Sequence, residues 1–482
     1  MDFETTQLLI VMIAYMALLI LFGLYKGRKV KTESDYAIAG RSLPGWVAAL
    51  SERATGESSW ALLGLPGAAY ATGLLEVWTA VGCVAGIITA WALLAWRLRD
   101  EADKYKADTF TEYIALKHGD LGKWIRIVGS STIVFFFFFY VAAQFLGGGK
   151  TMHIMFGIEP WMGMLVTAAI IVPYTIYGGF LSVVYTDVVQ AILMIVTLVV
   201  GPIVGLIYLG NHPDLFAQSM EMALVKAGPE YNSWTGGAGG FMAGVVIVGG
   251  FSWFFGYLGG QPQLSTRFMA IKSEKQAKQA RNIGIVWTVV AYTGALVLGW
   301  IGIAIFGPTG LEDQEHVMPA VIMKIFHPLV AAVLMTGAIA AMTSTANSLL
   351  ILSATELSEN LIKPLNKNSV RRSSLFQSRI ITAVLAVVAL FLAFVMPKET
   401  IFTLVSYVWA GIGGTFSIVI LLSLFWKKYH GRAVIATIVS GVAFTIIWIS
   451  TGMDDHITSR LLTFFVAGFV AIATTYLWPE KV

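Results

Sequence analysis

Thirteen stretches of this sequence are almost wholly apolar and roughly twenty residues long, the length a helix needs to cross a hydrocarbon layer. They cover about 8–25, 45–71, 75–96, 124–148, 158–176, 183–209, 240–265, 283–306, 328–355, 380–396, 400–426, 433–451 and 461–478. Inside hydrocarbon every backbone N–H and C=O must be bonded within the protein, so only helices and closed barrels can span it. Barrel strands would read as alternating ten-residue segments, and these runs do not alternate. The expected fold is therefore all-α and polytopic. With 57% hydrophobic and 12% charged residues, little sequence is left for a soluble domain, and the longest hydrophilic connections, near 99–123, 210–235 and 356–379, are about 25 residues each. No fused kinase or nucleotide-binding domain is expected. The single cysteine, Cys83, excludes a disulfide framework and a CxxC pair.

Residues 8–25 could be read as a signal peptide, but Asp2 and Glu4 precede them and no small-residue cleavage site follows, so they are expected to be a retained first helix. Basic residues fall unevenly on the two sides of the thirteen spans: 26 of the 32 Lys and Arg lie on one side, five on the other, and Arg53 lies within a span. By the positive-inside rule the N-terminus is outside and the C-terminus cytoplasmic.

Two of the spans are interrupted. The second holds Ser51-Glu52-Arg53-Ala54-Thr55-Gly56-Glu57-Ser58-Ser59, nine residues without a large apolar side chain at membrane depth. A charge there costs at least ~2.5 kcal/mol on insertion scales. Either a Glu/Arg pair is satisfied in the bundle interior, or the segment unwinds to line a solute cavity. The seventh holds Gly249, Gly250, Gly256, Gly259 and Gly260 before Gln261-Pro262, a composition that frees carbonyls from the helical ladder or serves close packing. The interrupted spans are five apart in order. If 45–210 and 240–426 are five-helix repeats, each begins with a broken helix, and the odd repeat length makes them inverted, the pattern of a secondary transporter with its site at the midplane. Residues 1–44 are then an extra N-terminal helix and loop, 211–239 an extracellular loop and 427–482 two C-terminal helices.

On the ninth span Ala341, Ser344 and Thr345 stand at i, i+3 and i+4, so one carbonyl and two hydroxyls share a face. Carbonyls near Ala54 and Glu57 could complete an oxygen shell for sodium; the alternative is ordinary back-bonding of hydroxyls along membrane helices. Asp187, placed at the cytoplasmic mouth of the sixth span, reads either as part of an ion exit path or a proton acceptor, or as a helix cap. Trp253 and Tyr257, i and i+4 on the broken seventh span, either close over a solute or pack.

The stretch Tyr177-Gly178-Gly179-Phe180-Leu181-Ser182-Val183-Val184-Tyr185-Thr186-Asp187-Val188-Val189-Gln190 resembles the signature of the sodium/solute symporter family. Leu63 to Gly67, Gln261-Pro262 with Arg267 to Ala270, Met342 to Thr345, and Trp409-Ala410-Gly411 are most similar to its bacterial sodium/proline branch. The resemblance implies thirteen helices in the inverted-repeat fold of the leucine transporter, and sodium as the coupling ion. It puts the ion on the carbonyls of Ala54, Glu57 and Ala341 and the hydroxyls of Ser344 and Thr345. The expected solute contacts are Arg53, Thr55, Gly56, Ser58, Trp253, Tyr257, Gln261, Pro262 and Trp409. The sequence departs from the proline branch in carrying Gly56 where those symporters have Asp, and in the charges of Glu52, Arg53 and Glu57.

The expected function is sodium-coupled import of a small solute, proline or a related amino acid, by alternating access. If Arg53 is free to meet a carboxylate, monocarboxylates become as plausible as amino acids; if it pairs with Glu52 or Glu57, a zwitterion is favoured. A proton on Glu57 is a further coupling alternative, and a channel or solute sensor is the alternative from another class. No enzyme is expected, since HExxH, GxSxG and paired-Asp motifs are absent, and no GxxxxGK[ST] loop supports an ATP-driven pump. The expected partners are the solute and the bilayer, with no nucleic acid and no obligate protein.

Overall fold

A plain apolar helix would carry each span across the bilayer, and where the sequence inserts glycine, proline or charge the helices depart from that simple course. The computed structural model describes residues 3–363, 374–396 and 399–479; part of the basic run counted above (Lys367, Arg371 and Arg372), together with Lys398 and Lys481, lies outside these. The principal helices are α1 (Phe3–Gly27), α2 (Gly45–Ser59), α3 (Leu65–Thr72), α4 (Val77–Thr89), α5 (Gly122–Phe156), α6 (Pro160–Asn211), α7 (Gly240–Phe251) and α8 (Pro262–Ala270). They continue with α9 (Glu274–Phe306), α10 (Pro328–Leu357), α11 (Ser374–Val395), α12 (Ile401–Val408), α13 (Thr415–Phe425), α14 (Gly431–Ser450) and α15 (Ser459–Leu477). No strand forms among the described residues.

Ten helical runs among the described residues are long and apolar enough to cross a membrane, fewer than the thirteen spans expected. Two expected spans share the run Gly45–Tyr105, which turns tightly at 73–76, and two others, Pro160–Pro173 and Gly240–Gly256, fall short of the length of a full span. The protein is a multi-pass membrane protein.

Burial sorts the helices. From Leu334 to Glu356 every residue of α10 is buried, so its many hydroxyls face protein and not lipid. It packs on α6, α5, α2 and α1. The peripheral helices α1, α11 and α15 expose Leu18, Phe391 and Phe469, the apolar surface a bilayer covers.

The interruption of α2 is real but narrower than nine residues. Residues 45–57 stay helical and the chain breaks at Ser58 (φ 43°, ψ −164°), then runs through a wide turn at Trp60–Gly64 into α3. The break leaves the Ser59 N–H without its helical acceptor, and Gln144 Oε1 on α5 accepts it at 3.0 Å. The second interruption lies at 257–261, between the short helix Trp253–Gly256 and α8. Gly260 is required there because a Cβ would stand 2.1 Å from the Gly413 carbonyl oxygen. In α6 the chain kinks at Gly179 (φ 56°, ψ −166°), where Tyr36 packs so closely that a Cβ would lie 2.5 Å from its ring. Leu43, just before α2, donates its N–H to Ala270 and accepts that of Lys272, which ties the start of the first broken helix to the end of the second.

Candidate functional site

Ser51, Glu52, Arg53, Ala54, Thr55, Glu57 and Ser58 are all at most 1% exposed, so the polar segment of α2 lies inside the bundle. Its side chains divide by helical spacing into two sets. Arg53 donates Nη2 to Glu52 Oε1 and Nε to Glu52 Oε2 (2.5 Å), and Nη1 lies 3.8 Å from Glu57 Oε1 and 3.2 Å from Thr288 Oγ1 on α9. The indole N–H of Trp91 donates to Glu52 (3.0 Å) and that of Trp287 to Glu57 (2.6 Å). The bidentate fork is the geometry guanidinium and carboxylate favour, and it commits Arg53 to its own helix. Of the two readings offered by the sequence, the self-paired one is what the structure shows for Arg53, and not a free guanidinium facing a carboxylate.

The other set faces α10 and α6. Thr345 Oγ1 donates to the Thr55 carbonyl at 2.9 Å, and Thr55 Oγ1 lies 3.1 Å from Ser348 Oγ. Asp187 accepts from Ser344 Oγ (2.6 Å), Ser51 Oγ (2.6 Å) and Arg267 Nη2 (2.9 Å). Arg267 also donates Nη2 to Ser348 and Nε to Ser51 (2.8 Å). Asp187 is thus neither a lone carboxylate nor a cap at a helix mouth: it is fully buried mid-helix, because α8 brings it a counter-charge. Arg267, counted above among the loop charges, is 1% exposed for the same reason.

The proposed ion ligands Ala54, Glu57, Ala341, Ser344 and Thr345 are all fully buried, on two helices that pack together. Around them the seam presents hydroxyls, a main-chain carbonyl and one carboxylate, a donor set suited to a hard monovalent cation.

Beside this seam lies an aromatic cage. Trp60, just past the first break, stacks on Trp253 at 4.4 Å and 8°. Trp409 sits 5.8 Å from Trp253, 5.1 Å from Tyr257 and 5.9 Å from Tyr140, and Phe402 lies 5.5 Å from Trp253. The indole N–H groups of Trp60, Trp253 and Trp409 and the Gln261 amide nitrogen are buried without a hydrogen-bond partner among the described residues. Such donors cost free energy unless something accepts from them. Tyr257 and Tyr292 meet through their hydroxyls at 2.9 Å, and Ser58 Oγ accepts from Tyr140 at 3.1 Å. Next to the cage, the cavity touching Tyr257, Gln261 and Glu52 holds ≈10 Å³, about one water. Gly56 belongs to this crowded zone, where a Cβ would press on Arg53 and Leu264 at 3.2 Å each. Thr55 turns its hydroxyl away to the α10 side, while Pro262 begins α8.

Sequence reasoning did not pick out Trp60, Tyr140, Gln144, Tyr292 or Phe402. Tyr140 and Gln144 carried a usable signal, two polar groups at i and i+4 in the otherwise apolar run 133–146; Trp60 and Phe402 carried none.

Two broken helices flanking a buried polar seam and an aromatic cage define a secondary active transporter of the inverted-repeat class. The sequence model of the sodium:solute symporter family matches residues 36–441, and the chain belongs to that family. It is accordingly a sodium-coupled transporter and not an enzyme. It is 34% identical to the high-affinity proline transporter PutP of Bacillus subtilis, over 93% of this chain and 95% of that protein. It is 33% identical to the osmoregulated proline transporter OpuE of the same organism (91% and 88% covered), and 34% identical to sodium/proline symporter 2 of Staphylococcus saprophyticus (98% and 92%). A solved sodium-coupled sialic acid symporter in a substrate-bound outward-open state shares the fold, with a TM-score of 0.81 at 19% identity, covering 100% of this chain and 99% of that one. The nucleobase-cation symporter Mhp1 in a closed conformation matches at a TM-score of 0.55 and 15% identity, with 92% and 94% covered.

Proposed function

We propose that the protein imports proline or a closely related small amino acid with sodium, by alternating access. The observation that carries the choice of solute is the commitment of Arg53 to Glu52. With that guanidinium engaged, the cage presents indole and amide N–H donors to a solute carboxylate and rings to an apolar body, which suits a small zwitterion. Relatives named as proline transporters along nearly the full length support the same reading. Trp253, Tyr257, Gln261, Pro262 and Trp409 would hold the solute, with Gly56 and Ser58 at its edge; Arg53 and Thr55 would act from behind.

Sodium would take the carbonyls of Ala54, Glu57 and Ala341 and the hydroxyls of Ser344 and Thr345. Binding there would fasten α10 to the last turn of α2 before its break, which would make closure depend on the ion. Asp187 would bias Ser344 and stand on the ion's way to the cytoplasm. The repeats would be 45–210 and 240–426, each opening on its broken helix, with 1–44, 211–239 and 427–482 outside them. The charge count supports an external N-terminus and a cytoplasmic C-terminus in a bacterial plasma membrane. Each sodium moving inward gains about 2.3 kcal/mol per 100 mV, in addition to its concentration gradient.

The test is uptake of labelled proline into proteoliposomes under an inward sodium gradient, with proton and potassium gradients as controls. Saturable accumulation that requires sodium is the expected result. Accumulation driven by protons alone, or none of proline with saturable uptake of a monocarboxylate, would overturn the reading.

A further inference from the structure

Far from the cage, on the face that the charge count assigns to the cytoplasm, a cavity of ≈760 Å³ is lined by Lys117, His118, Lys427, Lys428, His430 and Tyr476, among others. Three separate parts of the chain meet there: the turn after the helix Phe110–Lys117, the connection between α13 and α14, and the end of α15. Its charge is one-sided. Three lysines line it, and no carboxylate does among the described residues. Glu101 answers Lys117 from outside the lining, whereas Lys427 and Lys428 are exposed and have no carboxylate partner among the described residues.

The local field acts on His118. Its Nε2 lies 2.8 Å from Ser423 Oγ and its ring stands edge-on to Tyr429 at 5.4 Å. Burial, then the neighbouring Lys117 and His430, holds this imidazole down at about 4, so it stays neutral among cations. Tyr429 and Tyr476 add aromatic lining; Trp426 packs 5.7 Å from Tyr476, and Lys428 sits over the Tyr476 ring at 5.9 Å. The volume matches that of sites for phosphate esters and other small organic ligands. Clustered ammonium groups, each a compact charge with three donors, suit the three oxygens of a phosphate.

We infer that this cavity binds a phosphate-bearing anion, either a soluble phosphate compound or the headgroup of a phospholipid, held by Lys117, Lys427 and Lys428 and clamping the connection between α13 and α14 to the last helix. The transport reading does not use these residues, so the two stand or fall separately.

The experiment uses the full chain in phosphatidylcholine nanodiscs and reads acetylation rates of single lysines by mass spectrometry, with exposed Lys275 as the internal control. One arm adds pyrophosphate; the other replaces part of the lipid with phosphatidylglycerol. The expected result is at least a tenfold slowing at Lys427 and Lys428 relative to Lys275 in one arm. Protection by pyrophosphate identifies a soluble ligand, and protection only by phosphatidylglycerol identifies the lipid. In the K427Q/K428Q variant the accompanying rise in melting temperature should vanish while sodium-dependent uptake persists. No selective protection in either arm, or a melting shift unchanged in that variant, would overturn the inference.

Discussion

Replacing Arg53 with Met separates a guanidinium that holds the fold from one that holds the solute. Arg53 is fully buried between Glu52 and Glu57, so R53M leaves two carboxylates facing each other inside the bundle. The longer contact alone, at 3.8 Å, corresponds to about 4 kcal/mol at an effective dielectric near 20. Orphaning a buried charge costs about 3–5 kcal/mol in measured cases, so both routes give the same scale. R53M should therefore lower the melting temperature by ~5 °C or more. Adding E52Q returns the cluster to its original net charge, and E52Q/R53M should recover most of that loss. The assay is a double-mutant cycle on thermal unfolding of purified protein, run beside proline uptake in proteoliposomes. In the fraction that folds, the KM for proline should stay within about threefold of the parent, since the loss is stability and not uniform solute binding. An R53M protein that melts like the parent but whose KM rises tenfold or more would refute this reasoning and put Arg53 on the solute.

T345V keeps the shape of the side chain but removes the hydroxyl that bonds the Thr55 carbonyl, and should raise the half-saturating sodium about tenfold, near 1.4 kcal/mol, in uptake titrations. W253F removes a buried N–H donor and shrinks the ring over Trp60; solute KM should rise about tenfold with smaller change in maximal rate. Q144L strips the Ser59 N–H of its acceptor and should cost about 1–3 kcal/mol of stability, seen as a lower melting temperature even when uptake survives. His118, held near 4 against an ordinary 6.5, is neutral in the fold while the unfolded chain takes up the proton first as pH falls. Its contribution to stability is thus complete above about pH 6.5 and lost between there and about pH 4, and H118F should flatten that slope in melting curves.

Much of the architecture was legible because a bilayer allows so few solutions. Length and apolarity located the spans, and Ser51–Ser59 and Gly256–Pro262 marked both interruptions. What failed to show was how each break is repaired. A nine-residue polar run looks like an unwound segment, yet only Ser58 leaves the helix, since one amide side chain on α5 restores the missing acceptor. Helical spacing brought out Ser344 and Thr345 but not the grip of Asp187 on Ser344, which needs α6 and α8 together with their long separations in sequence. Arg267 read as a loop charge because hydropathy cannot see a partner 80 residues away. Trp60 and Phe402 looked like any membrane aromatic until the fold stacked Trp60 on Trp253 and set Phe402 edge-on to it.

The stack of Trp60 on Trp253 has a consequence for observation. Each of the two broken helical regions contributes one indole, and at 4.4 Å and 8° their electronic transitions couple. The unlabelled protein thereby carries its own optical gauge: near-ultraviolet circular dichroism should show an exciton signal while the two regions touch, and lose it as they part. Titrating sodium and solute against that signal would follow the molecule through its cycle with no probe attached.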